Sequence, residues 1–194
     1  NAGDAPARTP TAPIFGEPAA GESSYLGQVI DGRYRIKRLV GRGGMGTVYE
    51  VEQVHLQKIM ALKLLHEDLV IRKQLISRFT REARAVSRLE NPHTVRVFDF
   101  GRSEALFYLV MEFLDGEDLE VLLSREGALP WRRALNILDQ VCQSLDEAHN
   151  MGIIHRDLKP ENIMILKHPQ GADYVKVLDF GLAKLQNTDD VFSV

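Results

Sequence analysis

A chain of 194 residues, 44% hydrophobic and 26% charged, is long enough for one domain with a real core and too short for two large ones. Its net charge of −3 gives no pull toward nucleic acid or an anionic membrane surface. The longest apolar run, residues 106–111, falls far short of the ~20 needed to span a bilayer, and the single cysteine, Cys142, has no internal disulfide partner, which fits a cytoplasmic location.

Residues 1–24 hold half of the eight prolines (Pro6, Pro10, Pro13 and Pro18) among Ala, Gly and Thr. Such a stretch cannot bury enough apolar surface to offset its ordering entropy, so a disordered tail or linker is expected. From Tyr34 the pattern turns to strands: residues 34–40 run into a glycine-rich turn at 41–46, and β-formers resume at 47–51. A third strand is expected over 59–65. Leu75, Phe79, Glu82, Val86 and Leu89 recur at three- and four-residue steps, the signature of a helix that ends before Asn91-Pro92. Strands near 95–100 and 106–111 complete a lobe of five strands and one helix.

After Asp115-Gly116 the chain turns helical. A short helix is expected over 118–123, then a long one starting near Pro130. Trp131, Ala134, Leu135, Leu138, Val141, Cys142, Leu145 and Ala148 supply its apolar stripe, with Cys142 in the core and Trp131 an anchor. A hairpin (163–166, 174–178) leads to Asp179-Phe180-Gly181. The start at Asn1 and the end at Val194, without helix cap or polar tail, read as cuts from a longer protein.

The chemistry-bearing residues come in four groups. Gly41, Gly43 and Gly46 fit G-x-G-x-x-G, whose glycines let backbone N–H groups approach phosphate oxygens. A dinucleotide-binding turn has the same spelling, but that loop opens a helix, and this one opens another strand. Lys63 shares its strand face with Ile59, Ala61 and Leu65. A lone lysine in that setting snorkels to the surface by default. Glu82, however, is the one acidic residue on its helix's apolar stripe, where a carboxylate is costly without a partner. A buried Lys63–Glu82 pair accounts for both. The last group is His155-Arg156-Asp157-Leu158-Lys159-Pro160-Glu161-Asn162, followed by Asp179. Asp157, Asn162 and Asp179 offer hard oxygen ligands and a candidate base around one hairpin, which suits magnesium with a phosphate.

Taken in order, these residues resemble the signature set of the eukaryotic-type (Hanks-type) serine/threonine protein kinases. The matches are Gly41-x-Gly43-x-x-Gly46-x-Val48, Met60-Ala61-Leu62-Lys63, Glu82, His155-Arg156-Asp157 with Asn162, and Asp179-Phe180-Gly181. They extend over about 34–194, and Gly43-Gly44-Met45-Gly46 resembles the bacterial members. The resemblance implies an α+β, bilobal protein-kinase-like fold. Its N-lobe, about 34–112, is an antiparallel five-stranded sheet with one main helix; its mainly helical C-lobe, about 117–194, is truncated.

The implied activity is transfer of the ATP γ-phosphate to serine or threonine of protein substrates, with autophosphorylation and a signalling role. Val40, Gly41, Arg42, Gly43, Gly44, Met45, Gly46, Thr47 and Val48 would cover the nucleotide, with Val40, Val48, Ala61 and Met164 around adenine. Met111 matches the gatekeeper, the backbones of Glu112 and Leu114 would bind the base edge, and Asp118 the ribose. Lys63, positioned by Glu82, would contact the phosphates. Asp157 would be the base, Lys159 marks the serine/threonine form, and Asn162 and Asp179 would hold Mg²⁺. Val86, Val97, His155 and Phe180 would stack as a spine between the lobes. A pseudokinase scaffold is the alternative, disfavoured because Lys63, Asp157, Asn162 and Asp179 are all present. A small-molecule phosphotransferase is disfavoured by Lys159-Pro160-Glu161-Asn162. The segment after Gly181 is too short for the rest of a C-lobe, so these 194 residues alone are expected not to be competent.

Overall fold

The computed structural model describes residues 25–44, 46–65, 73–103, 106–167 and 172–180, and of 73–79 and 167 the backbone only. The expected tail at 1–24, Met45 and Gly181 lie outside these residues.

Strands β1 (Val29–Ile30), β2 (Tyr34–Gly43), β3 (Gly46–Gln53), β4 (Lys58–Leu65), β5 (Val97–Ser103) and β6 (Leu106–Glu112) form one antiparallel sheet in the order β1-β2-β3-β4-β6-β5. The sheet has six strands rather than five. The extra one, β1, is two residues long and too short for any periodicity to show. It is created by its turn: Asp31 (φ 51°) and Gly32 (φ 66°) take the paired positive φ of a tight hairpin, and Arg33 N–H donates to the Ile30 carbonyl.

Alternation splits the sheet's apolar residues between two cores. Tyr49, Val51, Met60, Leu62, Leu64, Tyr108 and Val110 turn to one side with Ile30, Tyr34 and Ile36. Ala61, Leu65, Leu109 and Met111 turn to the other, where they meet Ala83 and Val86. The two ends of the sheet also meet, so it curls. The Tyr34 hydroxyl donates to Asp99 at 2.6 Å, Arg33 pairs with Asp99 at 2.8 Å, and the Tyr34 and Tyr108 rings lie edge-to-face at 5.9 Å. Inside this closure burial, then the Asp31 carboxylate, push the Tyr108 phenol up to about 12, while the Tyr108 hydroxyl holds Asp31 below the usual carboxylate range.

Helix α1 (Lys73–Val86) stops three residues earlier than the pattern through Leu89 suggests, although Leu89 stays buried in the turn that follows. The connection from there to β5 is fastened to the second half of the chain. The Glu147 carboxylate accepts from the N–H groups of Glu90 and Asn91, both at 2.9 Å.

That second half contains β7 (Gly116–Asp118), helix α2 (Leu119–Glu126), helix α3 (Trp131–Asn150), a 3₁₀ turn (Pro160–Asn162), β8 (Ile163–Lys167) and β9 (Asp173–Val177). Strands β7, β8 and β9 form a small antiparallel sheet, and α3 lies on β9. Within the expected stripe of α3, the core place of Cys142 and the anchoring of Trp131 are corrected. Of its eight members only Val141 and Ala148 are buried, whereas Trp131, Leu135, Leu138 and Cys142 are exposed. The buried face is Ile137, Gln140, Val141, Ser144 and Ala148. Two of its members are polar and fully bonded, which is why apolar periodicity pointed elsewhere. Gln140 accepts from Val175 N–H and donates to the Asp173 carbonyl, and Ser144 shares a 2.7 Å hydrogen bond with Thr94. Among the described residues no helix is long and apolar enough to cross a membrane.

Candidate active site

The glycine turn connects β2 to β3, with Gly41 opposite Val48, Arg42 opposite Thr47 and Gly43 opposite Gly46. Its glycines differ in what they are needed for. A Cβ on Gly46 would sit 2.1 Å from the Leu64 carbonyl oxygen, so this glycine is required by the close pass of β4. A Cβ on Gly43 would meet nothing nearer than 4.0 Å. Thr47 pairs with Leu64, whose side chain belongs to the far core, so the Thr47 side chain turns away from the face that carries Val48 and Lys63. Only its backbone is left to contribute on that face.

Lys63 is 5% exposed and sits in register between Val48 of β3 and Leu109 of β6. Its ammonium lies 2.7 Å from Asp179 Oδ2. The expected Lys63–Glu82 ion pair is thus replaced: Glu82, near the end of α1, faces Arg156 at 3.5 Å. Backbone geometry gives the reason. Arg156 (φ 64°) and Asp179 (φ 54°) both take the left-handed conformation, which redirects the chain and lets each side chain meet a partner on the N-terminal half.

The segment before Asp157 is fixed by His155. This ring is 2% exposed, packs at a tilt against Phe180 with ring centres 4.7 Å apart, and bonds the Leu178 carbonyl through Nε2 at 2.6 Å. Burial pushes the imidazole below its ordinary range despite that carbonyl. A neutral ring bonded in this way carries its proton on Nε2, which leaves Nδ1 to face the Asp157 N–H at 3.4 Å. Val86, Val97 and Phe180 share one core, so the four expected spine residues do come together.

Asn162 donates through Nδ2 to the Asp157 carbonyl at 2.8 Å and to Asp157 Oδ2 at 3.2 Å, and its own carbonyl accepts from Leu178 N–H. Its amide nitrogen is therefore committed, and Oδ1 is the atom left to face a cation. Lys159 Nζ lies 3.7 Å from Asp157 Oδ2, a loose and exposed contact.

Where the lobes join, Met111 is buried and Glu112 ends β6. The Glu112 N–H already donates to the Arg96 carbonyl, so of its backbone only the carbonyl is left for the expected contact with a base edge. Leu114 lies between β6 and β7, outside both strands. Asp118 accepts from Val121 N–H and caps α2, so one of its oxygens is already occupied. Across the small sheet Asp118, Met164 and Lys176 are direct cross-strand partners and share a face. Val40 and Val48 are half-buried, and Ala61 is buried in the core that includes Met111. Lys176 and Thr94 are not among the residues the sequence pointed to. A lysine between Val175 and Val177 in a buried strand was the available signal, and it is the same signal that singled out Lys63.

A family model described as protein kinase domain matches residues 34–193. The chain is 44% identical over 86% of its length to serine/threonine-protein kinase pkn3 of Myxococcus xanthus, and 48% identical over the same share to pkn2 of that organism. It spans 30% of the first protein and 20% of the second. Among solved structures it resembles the Mycobacterium tuberculosis PknI kinase domain, with a TM-score of 0.70 and 32% identity over 80% of this chain and 62% of that one. It also resembles Rad53 in complex with AMP-PNP, with a TM-score of 0.69 and 34% identity over 79% of this chain and 40% of that one. With the signature residues gathered around one junction between two sheets, the chain belongs to the protein kinase domain family.

Proposed function

We propose that the protein carrying this domain transfers the γ-phosphate of ATP to serine or threonine hydroxyls of protein substrates. The observation that supports it best is that Lys63 pairs with Asp179, Asn162 bonds Asp157, and the Asn162 backbone carbonyl accepts from the N–H of Leu178 beside Asp179, although these residues come from three separate parts of the chain. In the reaction a bond forms between the substrate hydroxyl oxygen and the γ-phosphorus, and the bond from that phosphorus to the bridging oxygen of ADP breaks. The hydroxyl proton passes to the Asp157 carboxylate, which Asn162 holds in place. The donor set fits Mg²⁺, since Asn162 Oδ1 and the Asp179 carboxylate are hard oxygens and Asp179 already pairs with a cation, the Lys63 ammonium. When bound, the ion would neutralise phosphate charge. Lys63 would hold the phosphates, Val48, Ala61 and Met164 would enclose adenine, and the Glu112 carbonyl and Leu114 would bind the base edge.

Autophosphorylation extends the same reading. Arg156 now faces Glu82. A phosphate on the segment after Phe180, where Thr188 and Ser193 stand outside the described residues, would draw Arg156 away and release Glu82 toward Lys63.

The test is Asp157→Asn in the full-length protein. It should leave ATP binding nearly intact and lower kcat by at least ~10²-fold, measured as radiolabel transfer from ATP to protein. An unaltered rate would remove the assigned role. ATP binding without any transfer by the unaltered protein would favour the pseudokinase reading.

A further inference from the structure

We propose that Lys176 is a positioning residue for the nucleotide base, acting through the Glu112 side chain on the segment that joins the lobes. The inference rests on the nucleotide reading above. Lys176 lies on β9, its side chain 11% exposed, and its ammonium donates to Glu112 Oε1 at 2.6 Å and to the Thr94 carbonyl at 3.1 Å. The same Glu112 oxygen accepts from Arg96 N–H at 2.7 Å, while Glu112 N–H donates back to the Arg96 carbonyl at 3.0 Å.

Glu112 is therefore held through its side chain and its backbone at once, and on the nucleotide reading its carbonyl is the group that would meet the base edge. Lys176 is anchored in turn. Thr94 bonds Ser144 of α3 at 2.7 Å, Val95 N–H donates to the Val177 carbonyl, and Val177 N–H donates to the His93 carbonyl. One lysine thus ties the end of β6 to the connection after α1 and to the C-terminal sheet. Its cross-strand neighbour Met164, and beyond that Asp118, place it on the face that would lie under the base and ribose. A buried lysine is costly to retain without such a task, because an apolar side chain of equal length would fill the strand position at lower desolvation cost.

The experiment compares probes on the full-length protein by calorimetry. Lys176→Met should weaken Mg²⁺-ATP and adenosine by the same factor, about five- to tenfold, the worth of one well-placed hydrogen bond. Mg²⁺-tripolyphosphate should keep its affinity, because Lys63 and the glycine turn are untouched. Lys176→Arg should restore most of the adenosine affinity. Should Lys176→Met fail to fold for want of a partner for Glu112, the double variant Lys176→Met/Glu112→Leu removes both charges and should show the same adenosine-selective loss. Equal weakening of adenosine and tripolyphosphate would mean a merely structural role and overturn the inference, as would unchanged adenosine affinity. If the unmodified chain binds none of the three probes, the nucleotide reading itself fails and takes the inference with it.

Discussion

The Lys63 ammonium lies 2.7 Å from the Asp179 carboxylate, while Glu82 is turned to Arg156. The lysine side chain is 7% exposed and the aspartate 22%, so the pair is largely withdrawn from water. Breaking such a pair from one side leaves a charge with poor solvation, at a cost of up to about 3–5 kcal/mol for full burial. Lys63→Met should therefore destabilise the chain toward the lower end of that range. Lys63→Met/Asp179→Asn should recover part of the loss, asparagine being chosen because it tolerates the positive φ at this position. The coupling in that double-mutant cycle should exceed 0.5 kcal/mol, and the coupling between Lys63→Met and Glu82→Gln should be smaller. Urea unfolding of the four members of each cycle checks this, and a larger Glu82 coupling would contradict the pairing.

Gly43 and Gly46 separate fold from ligand contact. Gly46→Ala drives a methyl group into the backbone of β4 and should lower stability by about 1–3 kcal/mol, the usual cost of overpacking. Gly43→Ala enters open space and should leave the melting temperature within about 1 °C, an effect below ~0.5 kcal/mol. If phosphates approach the backbone here, Gly43→Ala should still weaken Mg²⁺-ATP severalfold. A Gly46→Ala variant as stable as the parent would show that the strands separate more easily than this contact implies.

How much of this was legible in sequence depends on what each residue touches. β2 to β6 announced themselves through runs of β-formers, the first two meeting at a glycine-rich turn, and Lys63 and Glu82 through polarity in apolar patterns. β1 did not register, although Asp31-Gly32 is a hairpin signal in its own right. The partners of Lys63 and Glu82 could not be read either, because they depend on two left-handed residues, Arg156 and Asp179, that sequence alone does not mark. Helix α3 misled for a physical reason: its packed face includes Gln140 and Ser144, whose bonds to β9 and Thr94 replace apolar contact. The pattern of apolar residues therefore traced the outward stripe of α3 and left its packed side unmarked.

His155 gives a pH signature. Its folded-state pKa is depressed by burial below the ordinary 6.5, so between the two values the unfolded chain binds a proton that the folded one does not. Its contribution to stability is complete above about pH 6.5 and declines as pH falls toward the depressed value. The melting temperature should drop on acidification from about pH 7.5 to 5.5, and His155→Phe should flatten that slope while lowering stability overall through loss of the Leu178 bond. Identical slopes for the two proteins would show that His155 does not stay neutral in the fold.

The last expectation concerns the outward side of α3. Trp131, Leu135, Leu138 and Cys142 follow one another at steps of four, three and four residues, so they form one stripe on the side away from β9. Trp131 is 65% exposed, Leu135 56% and Leu138 54%, an apolar surface of the kind that marks an interaction site or an aggregation hazard. The 194-residue chain should self-associate through it, with a sedimentation coefficient that rises with concentration in the range of about 10–100 μM. Leu135→Gln/Leu138→Gln keeps good helix formers at both positions and removes no buried contact, so stability should change by less than about 0.5 kcal/mol while association falls. Ile137→Ala on the packed side should behave oppositely, costing about 2–4 kcal/mol and leaving association unrelieved. Sedimentation velocity of the three proteins over that range decides the matter, and a parent chain that stays monomeric throughout would show that the stripe needs no partner.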